Sequence, residues 1–200
     1  MTQKIIGVVG FIGSGKGTVG DYLVSKYGFK SESFAKSLKD AVSDIFGWPR
    51  NLCEGDTAES RRWRELPDPY WSEKMGREVT PRWVLQQMGT EVMRYNFVDS
   101  IWIWSLEKRL SNSTSSMVIT DVRFPNEISM IKNLGGKIIW VRRGDMPEWY
   151  DCAVNTPEHM PLLWKDIHPS EYMWLNHGPF LKIDNNGTLD YLYQQIDEIL

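Results

Sequence analysis

The 200-residue sequence predicts an α/β fold, a five-stranded parallel sheet covered by helices on both faces. Three observations carry the prediction. Short apolar runs alternate with segments of helical spacing from one end to the other, the pattern of parallel strands joined by crossover helices. Runs such as "IIGVV" and "MVIT" are apolar throughout rather than on every second residue, as strands covered on both faces are. Finally, a glycine-rich, lysine-bearing corner, "GFIGSGKGT", follows directly on the first run, at the strand end where open parallel sheets hold their ligands.

Taken in order, Lys4 to Val9 is a β-branched run of strand length, and "GTVGDYLVSKYG" places Val19, Tyr22, Leu23 and Tyr27 at helical spacing before Gly28 stops it. "KSESFA" (30–35) is a short alternating strand candidate. A helix follows over Lys36 to Phe46, with Leu38, Ala41, Val42, Ile45 and Phe46 on one face. Residues 47–80 are polar, charged and aromatic, interrupted by prolines and carrying the cationic run "RRWR" at 61–64, so they read as an irregular insertion. Thr80 as N-cap with Pro81 in the first turn starts a helix over 80–94. A further helix is expected from Asp99 to Leu110, then a solvated loop, "SNSTSS". "MVIT" (117–120) is a strand ending at Asp121, and Pro125 opens a helix that Gly135 closes. "KIIWV" (137–141) is the next strand. Arg142 to His168 is a long connection rich in Pro and Trp, "FLKI" the last strand, and Thr188 caps a closing helix.

Composition narrows the function. A formal net charge of -3 gives no support to sequence-independent nucleic-acid binding, which needs clustered cations to neutralise phosphates. Cys53 and Cys152 stand far apart with no metal-ligand spacing, so they are expected as free thiols in a reducing cytoplasm. The first residues lack a signal peptide's apolar core, and no run reaches membrane-spanning length. A cytoplasmic protein acting on a small anionic partner is the expectation.

The chemistry starts at the corner. Gly10, Gly15 and Lys16 match G-x-x-x-x-G-K in its required setting, after a strand and before a helix. There the amides of Gly13, Ser14, Gly15, Lys16, Gly17 and Thr18 and the positive end of the helix dipole can hold a triphosphate, and Lys16 adds a point charge. Gly17 occupies the place where most such loops put a magnesium-binding hydroxyl, with Thr18 one later as a phosphate contact or metal ligand. "VITDVRFPNE" sets Asp121 at a strand end, facing magnesium directly or through water, and Arg123 two residues on, where a planar fork can grip phosphate. A surface ion pair among Asp121, Arg123 and Glu127 is the plainer reading of the same residues. Arg142 and Arg143 open the long connection, where a closing lid would begin. His168 with Ser170 and Glu171 suggests a hydrolase triad, but no nucleophile elbow accompanies it. "PSE" reads as a helix start. The tryptophans are expected in packing, with Trp63, Trp71 and Trp83 also candidates to flank a base and the insertions candidates for a homodimer interface.

The loop "GFIGSGKGT" resembles that of adenylate kinase and other nucleoside monophosphate kinases. With "SLKDAV", "TPRWVLQQMGTEV", "TDVRFPNE", "IIWVRR", "HPSE" and "DNNGTL", the chain resembles the phage deoxynucleoside monophosphate kinases over nearly its whole length. That resemblance implies a single P-loop NTPase domain spanning residues 1–200, with residues 47–80 an acceptor-binding insertion and 142–168 a lid-like segment. It implies ATP and Mg2+ as cofactors and a deoxynucleoside monophosphate as substrate. Lys39, Arg82, Gln86 and Arg123 would surround that substrate, and Asn185 to Gly187 would lie near adenine. Lys16, Asp121, Arg123, Arg142 and Arg143 are the expected catalytic set, with Thr18 and Asp121 for the metal, in a host cytoplasm if the gene is a phage's. The loop and "DVR" also resemble animal phosphomevalonate kinase, one alternative; a non-catalytic nucleotide-binding module is another.

Overall fold

The computed structural model describes residues 3–200. The first strand, β1 (Ile5–Val9), is buried at every position. It runs through residues 10–15 into helix α1 (Lys16–Tyr27), which Gly28 ends in a left-handed cap that donates back to the Leu23 and Val24 carbonyls. Then come β2 (Lys30–Glu32) and α2 (Lys36–Phe46). Helices α3 (Ala58–Glu65), α4 (Pro69–Met75) and α5 (Pro81–Gln86) follow, and α5 continues as a π-helical stretch, Gln87–Tyr95. Next are α6 (Ile101–Leu110), β3 (Met117–Ile119), α7 (Pro125–Asn133) and β4 (Lys137–Arg142). The chain closes with α8 (Tyr150–Asn155), α9 (Met160–Leu163), β5 (Leu181–Asp184) and α10 (Leu189–Ile199).

The strands form one parallel sheet in the order β2-β3-β1-β4-β5. Alternation along each strand divides the core between its faces. Ile6 and Val8, Val118, Ile139 and Val141, and Ile183 pack with Val19 and Leu23 of α1 and Leu192 and Ile196 of α10. The opposite face meets α7: a side chain at Gly7 would run into Ile131. Thus β1 and β3, adjacent in the sheet, send their following helices to opposite faces. This is the topological switch point at which the carboxyl ends of parallel strands leave a crevice. The five strands stand where the sequence puts them, and both faces are covered.

The chain divides into two compact units, one made of the residues up to Ser33 together with Asn112–Leu200, the other of Phe34–Ser111. The sheet lies wholly in the first. The second is helical, with α2 against α5 and α6, and α3 against α5. Trp48 donates to Asp68 at 2.7 Å and Trp71 to the Phe46 carbonyl at 3.0 Å. Trp63 meets Trp48 edge-on, and Trp71 tilts onto Phe46, so these tryptophans are spent on the unit's own packing.

Four stretches depart from the sequence reading. Residues 47–80 hold two capped helices rather than an irregular loop: the Thr57 hydroxyl accepts from the Ser60 amide, and Asp68 accepts from Trp71 with Pro69 in the first turn. Pro67 and Pro69 stand beside and at the start of α4, where a missing N–H costs nothing, and Pro49 lies in the turn after α2. Residues 142–168 likewise carry α8 and α9. "KSESFA" is strand only as far as Glu32. The helix from Thr80 starts as read, with Thr80 accepting from the Trp83 amide, but widens into π geometry at Gln87. There the Gly89 carbonyl is free to accept from Trp102 Nε1 at 2.8 Å. Among the described residues no helix is long and apolar enough to cross a membrane.

Candidate active site

The corner between β1 and α1 is built around backbone that only glycine adopts easily. Gly10, Gly13 and Gly15 have φ of 150°, 78° and 100°. At Gly10 a side chain would also stand 2.6 Å from both Ser14 Oγ and the Val141 carbonyl, so the loop closes tightly on the end of β4. Space above Gly13 and Gly17 is open. Ser14 is 3 % exposed, and its hydroxyl makes no hydrogen bond among the described residues. Open glycines, an orphaned buried hydroxyl and the first amides of a 12-residue helix form a cradle suited to phosphate oxygens.

Lys16 folds back over this loop, donating to the Gly10 carbonyl at 2.8 Å and the Phe11 carbonyl at 2.9 Å. Burial, then the positive charge of Arg123, lowers its pKa to about 8, while Glu171 pulls the other way. Lys16 and Arg123 therefore feel each other's charge, although one follows β1 and the other β3. Such a pair of close cations is costly without an anion to share.

The turn after β3 holds the second group. Asp121 accepts from Ser33 Oγ at 2.7 Å. Glu127 is 2 % exposed and spends its carboxylate on backbone, accepting from the amides of Arg123 at 2.7 Å and Phe124 at 3.1 Å. The surface ion pair among Asp121, Arg123 and Glu127 is thus not what this motif makes. Glu127 is a buried staple that fixes the turn carrying the other two. The Arg123 guanidinium is held instead by Glu171 at 2.6 Å and more loosely by the Ser170 carbonyl at 3.4 Å. His168 caps that short turn, its Nδ1 lying 2.8 Å from Ser170 Oγ. Trp174, buried, donates to the Glu171 carbonyl and tilts onto Phe11 of the loop. So "HPSE" serves the cation at the end of β3, not a triad.

Asp121 brings one carboxylate to the strand end, and Thr18 lies in the first turn of α1. That donor set suits magnesium, which takes one or two carboxylates together with substrate phosphates and water. Among the described residues no cluster of three or more His, Cys, Asp or Glu forms a self-sufficient metal cage.

The remaining expected residues divide. Asn185 follows β5 and donates its side-chain amide to the Ser14 carbonyl at 2.8 Å. Its own N–H goes to the Arg142 carbonyl at 2.8 Å. Gly187 lies in the turn before α10, its Cα facing Tyr191. Arg142 is exposed and turns its guanidinium over Trp140, 5.6 Å from the ring centre, where Lys182 also sits at 5.1 Å. Arg143 is exposed beside it. Phe11 touches Trp149 and Tyr150 edge-on, which seats the 142–168 segment on the loop. In the helical unit, Lys39 pairs with Glu54 at 2.6 Å, Arg82 pairs with Glu65 at 2.6 Å, and Gln86 ends α5. Trp83 carries the Arg77 guanidinium 4.2 Å above its ring. Sequence reasoning missed Glu171 as the partner of Arg123, reading it as part of a helix start although "HPSE" was already among the motifs carrying the resemblance, and it set Glu127 in an ion pair rather than on the backbone amides it takes.

Residues 54–156 match the family described as deoxynucleotide monophosphate kinase. A protein of Acanthamoeba polyphaga mimivirus carrying that same description is 30 % identical over 206 residues, covering 96 % of this chain and 93 % of its own. The deoxynucleoside-5'-monophosphate kinase of Escherichia phage T5 is 40 % identical over 95 residues, 46 % of this chain and 34 % of that one. A gluconokinase structure from Sinorhizobium meliloti overlays 98 % of this chain and 89 % of its own at 13 % identity, with a TM-score of 0.42.

Proposed function

The chain belongs to the deoxynucleotide monophosphate kinase family, and from that premise we propose that it moves the γ-phosphoryl group of ATP, with magnesium, onto a deoxynucleoside monophosphate to give the diphosphate. The observation that carries this reading is the juxtaposition at the switch point, where the glycine cradle with Lys16 meets the β3 turn with Asp121 and Arg123. Phosphoryl transfer asks little covalent chemistry of a protein; it asks for positioning and for charge.

In this reading the amides of residues 13–18 hold the donor's phosphates, and Lys16 leaves its two loop carbonyls for the β and γ oxygens. Asp121 and Thr18 would hold magnesium, which would supply charge neutralisation for the donor's phosphates. Arg123, steadied by Glu171, offers its fork to a phosphate. Lys39, Arg82, Gln86 and Arg123 serve the acceptor nucleotide, and Asn185 to Gly187 lie toward adenine. Arg142 and Arg143 belong to a segment, 142–168, that closes over the donor as a lid. The acceptor's own phosphate oxygen is the nucleophile, so no protein nucleophile is needed. The virus-encoded relatives support a gene of viral or phage origin and work in a host cytoplasm.

The test is ADP release from MgATP against dAMP, dGMP, dCMP, dTMP, their ribose counterparts and phosphomevalonate. Release with one or more deoxynucleotides is the expected result. Silence with every nucleotide, ATP still binding, overturns it in favour of phosphomevalonate chemistry or a non-catalytic module, according to the last acceptor. Lys16→Ala should abolish turnover while far-ultraviolet circular dichroism stays unchanged.

A further inference from the structure

We infer that Asn185 is a positioning residue for the donor loop: its side-chain amide braces the loop at Ser14, and its backbone ties that brace to the root of the 142–168 segment. The inference rests on the loop being the donor site and assigns Asn185 a role through the protein rather than through adenine.

Three contacts carry it. Asn185 Nδ2 donates to the Ser14 carbonyl at 2.8 Å, across 171 residues of sequence. The Asn185 N–H donates to the carbonyl of Arg142, the last residue of β4, also at 2.8 Å. And the loop is shaped around this side chain: a Cβ at Gly15 would lie 2.2 Å from Asn185 Nδ2. Gly15 is therefore fixed twice, by its left-handed backbone and by the amide above it.

The consequence is mechanical. The loop has glycine at positions 10, 13, 15 and 17, and glycine loses more conformational freedom on ordering than any other residue. An amide that pins one of its carbonyls removes part of that freedom before the donor arrives, and such preorganisation appears as affinity. Because the backbone N–H of the same residue holds the Arg142 carbonyl, the end of β4 and the loop are tied through one residue. Val141, one residue earlier, closes against Gly10 from the same strand end.

Two variants of the full chain test this. Asn185→Ala deletes the brace, and Asn185→Asp keeps its shape and the backbone bond but turns a carboxylate oxygen toward the Ser14 carbonyl. Hydrogen exchange of the ligand-free protein is followed in segments 10–18 and 117–124, and the MgATP dissociation constant is measured by calorimetry. For Asn185→Ala, exchange in 10–18 should quicken and MgATP should weaken, each on the order of tenfold. Segment 117–124 should not change. Asn185→Asp should weaken MgATP further, and it decides the matter if the alanine variant does not fold. Unchanged exchange in 10–18 overturns the inference; if MgATP alone weakens, Asn185 touches the nucleotide directly. Equal quickening in both segments also overturns it, since that is general loosening. The exchange arm stands whether or not any deoxynucleotide elicits ADP release, so failure of the proposed reaction and failure of the brace are separable.

Discussion

Lys16 feels the charge of both members of the Arg123–Glu171 ion pair, and that has a consequence in pH. A buried ammonium next to a guanidinium holds its proton less tightly, which is why Lys16 sits at about 8 rather than 10.5. The charged form is the one that meets phosphate, and it is present below about pH 8 and lost above it. The pH profile of kcat/KM for ATP reports groups of the free enzyme, so it should fall on the alkaline side near pH 8. Glu171 opposes the shift. In Glu171→Gln the falling limb should move to lower pH, and kcat should drop because Arg123 loses its 2.6 Å partner. A limb that stays in place would rule out the coupling between Glu171 and Lys16. At Glu127 the expectation is structural. Its carboxylate satisfies two backbone amides in a nearly solvent-free position. Glu127→Ala should therefore cost about 2–4 kcal/mol in urea unfolding, the range for stranding buried donors and opening a cavity.

The elements rest on local devices, several of them visible in the sequence. Thr188 caps α10 by accepting from the Tyr191 amide at 3.2 Å, as its place before an apolar-periodic run predicts, and Thr188→Ala should cost about 1 kcal/mol. The inner strands β1, β3 and β4 were legible for a similar reason: a strand buried on both faces must be apolar nearly throughout, whereas the edge strands β2 and β5 are largely exposed. Gly7, inside β1, was not legible. Nothing in "IIGVV" says that α7 lies so close that an added methyl would stand 2.7 Å from the terminal carbons of Ile131 and Ile138. Gly7→Ala should cost about 1–3 kcal/mol by overpacking, seen as a lower urea midpoint with unchanged slope. The helices in 47–80 were illegible because they are short, polar and flanked by proline, so they offer caps but no periodicity. Site residues followed the same division. Lys16, Asp121 and Arg123 announce themselves because their chemistry is tied to a strand end. Asn185 as brace and Glu171 as partner depend on chain segments meeting across more than forty residues of sequence, and no local pattern encodes such a meeting.

At the scale of the molecule, the residues proposed for the two substrates fall in different compact units, except that Arg123, also proposed for the acceptor, belongs with the donor loop. The donor loop, Asp121, Arg123 and Asn185 belong to the sheet-bearing unit, whereas Lys39, Arg82 and Gln86 belong to the helical one. Each unit has its own core: the first packs α1 and α10 on the sheet, and the second is held by Trp48, Trp71 and Trp102 bonded to neighbours within it. Damage in one should therefore be read mainly by one substrate. Arg82 is the sharpest probe, because it is partly exposed and its ion pair with Glu65 joins two exposed side chains, an arrangement that contributes little to stability. Arg82→Ala should leave the thermal midpoint and the KM for ATP within error of the parent and raise the KM for the deoxynucleotide about tenfold or more, the expected loss of a charged contact to phosphate. Arg123→Ala should behave otherwise: it lies in the donor unit, beside Lys16, and its loss should lower kcat more than it raises either KM, as removal of a contact made chiefly in the transition state does. Steady-state kinetics with both substrates varied separates the two patterns. An Arg82 variant that raised the ATP KM instead would place Arg82 with the donor, and the division of labour between the units would have to be given up.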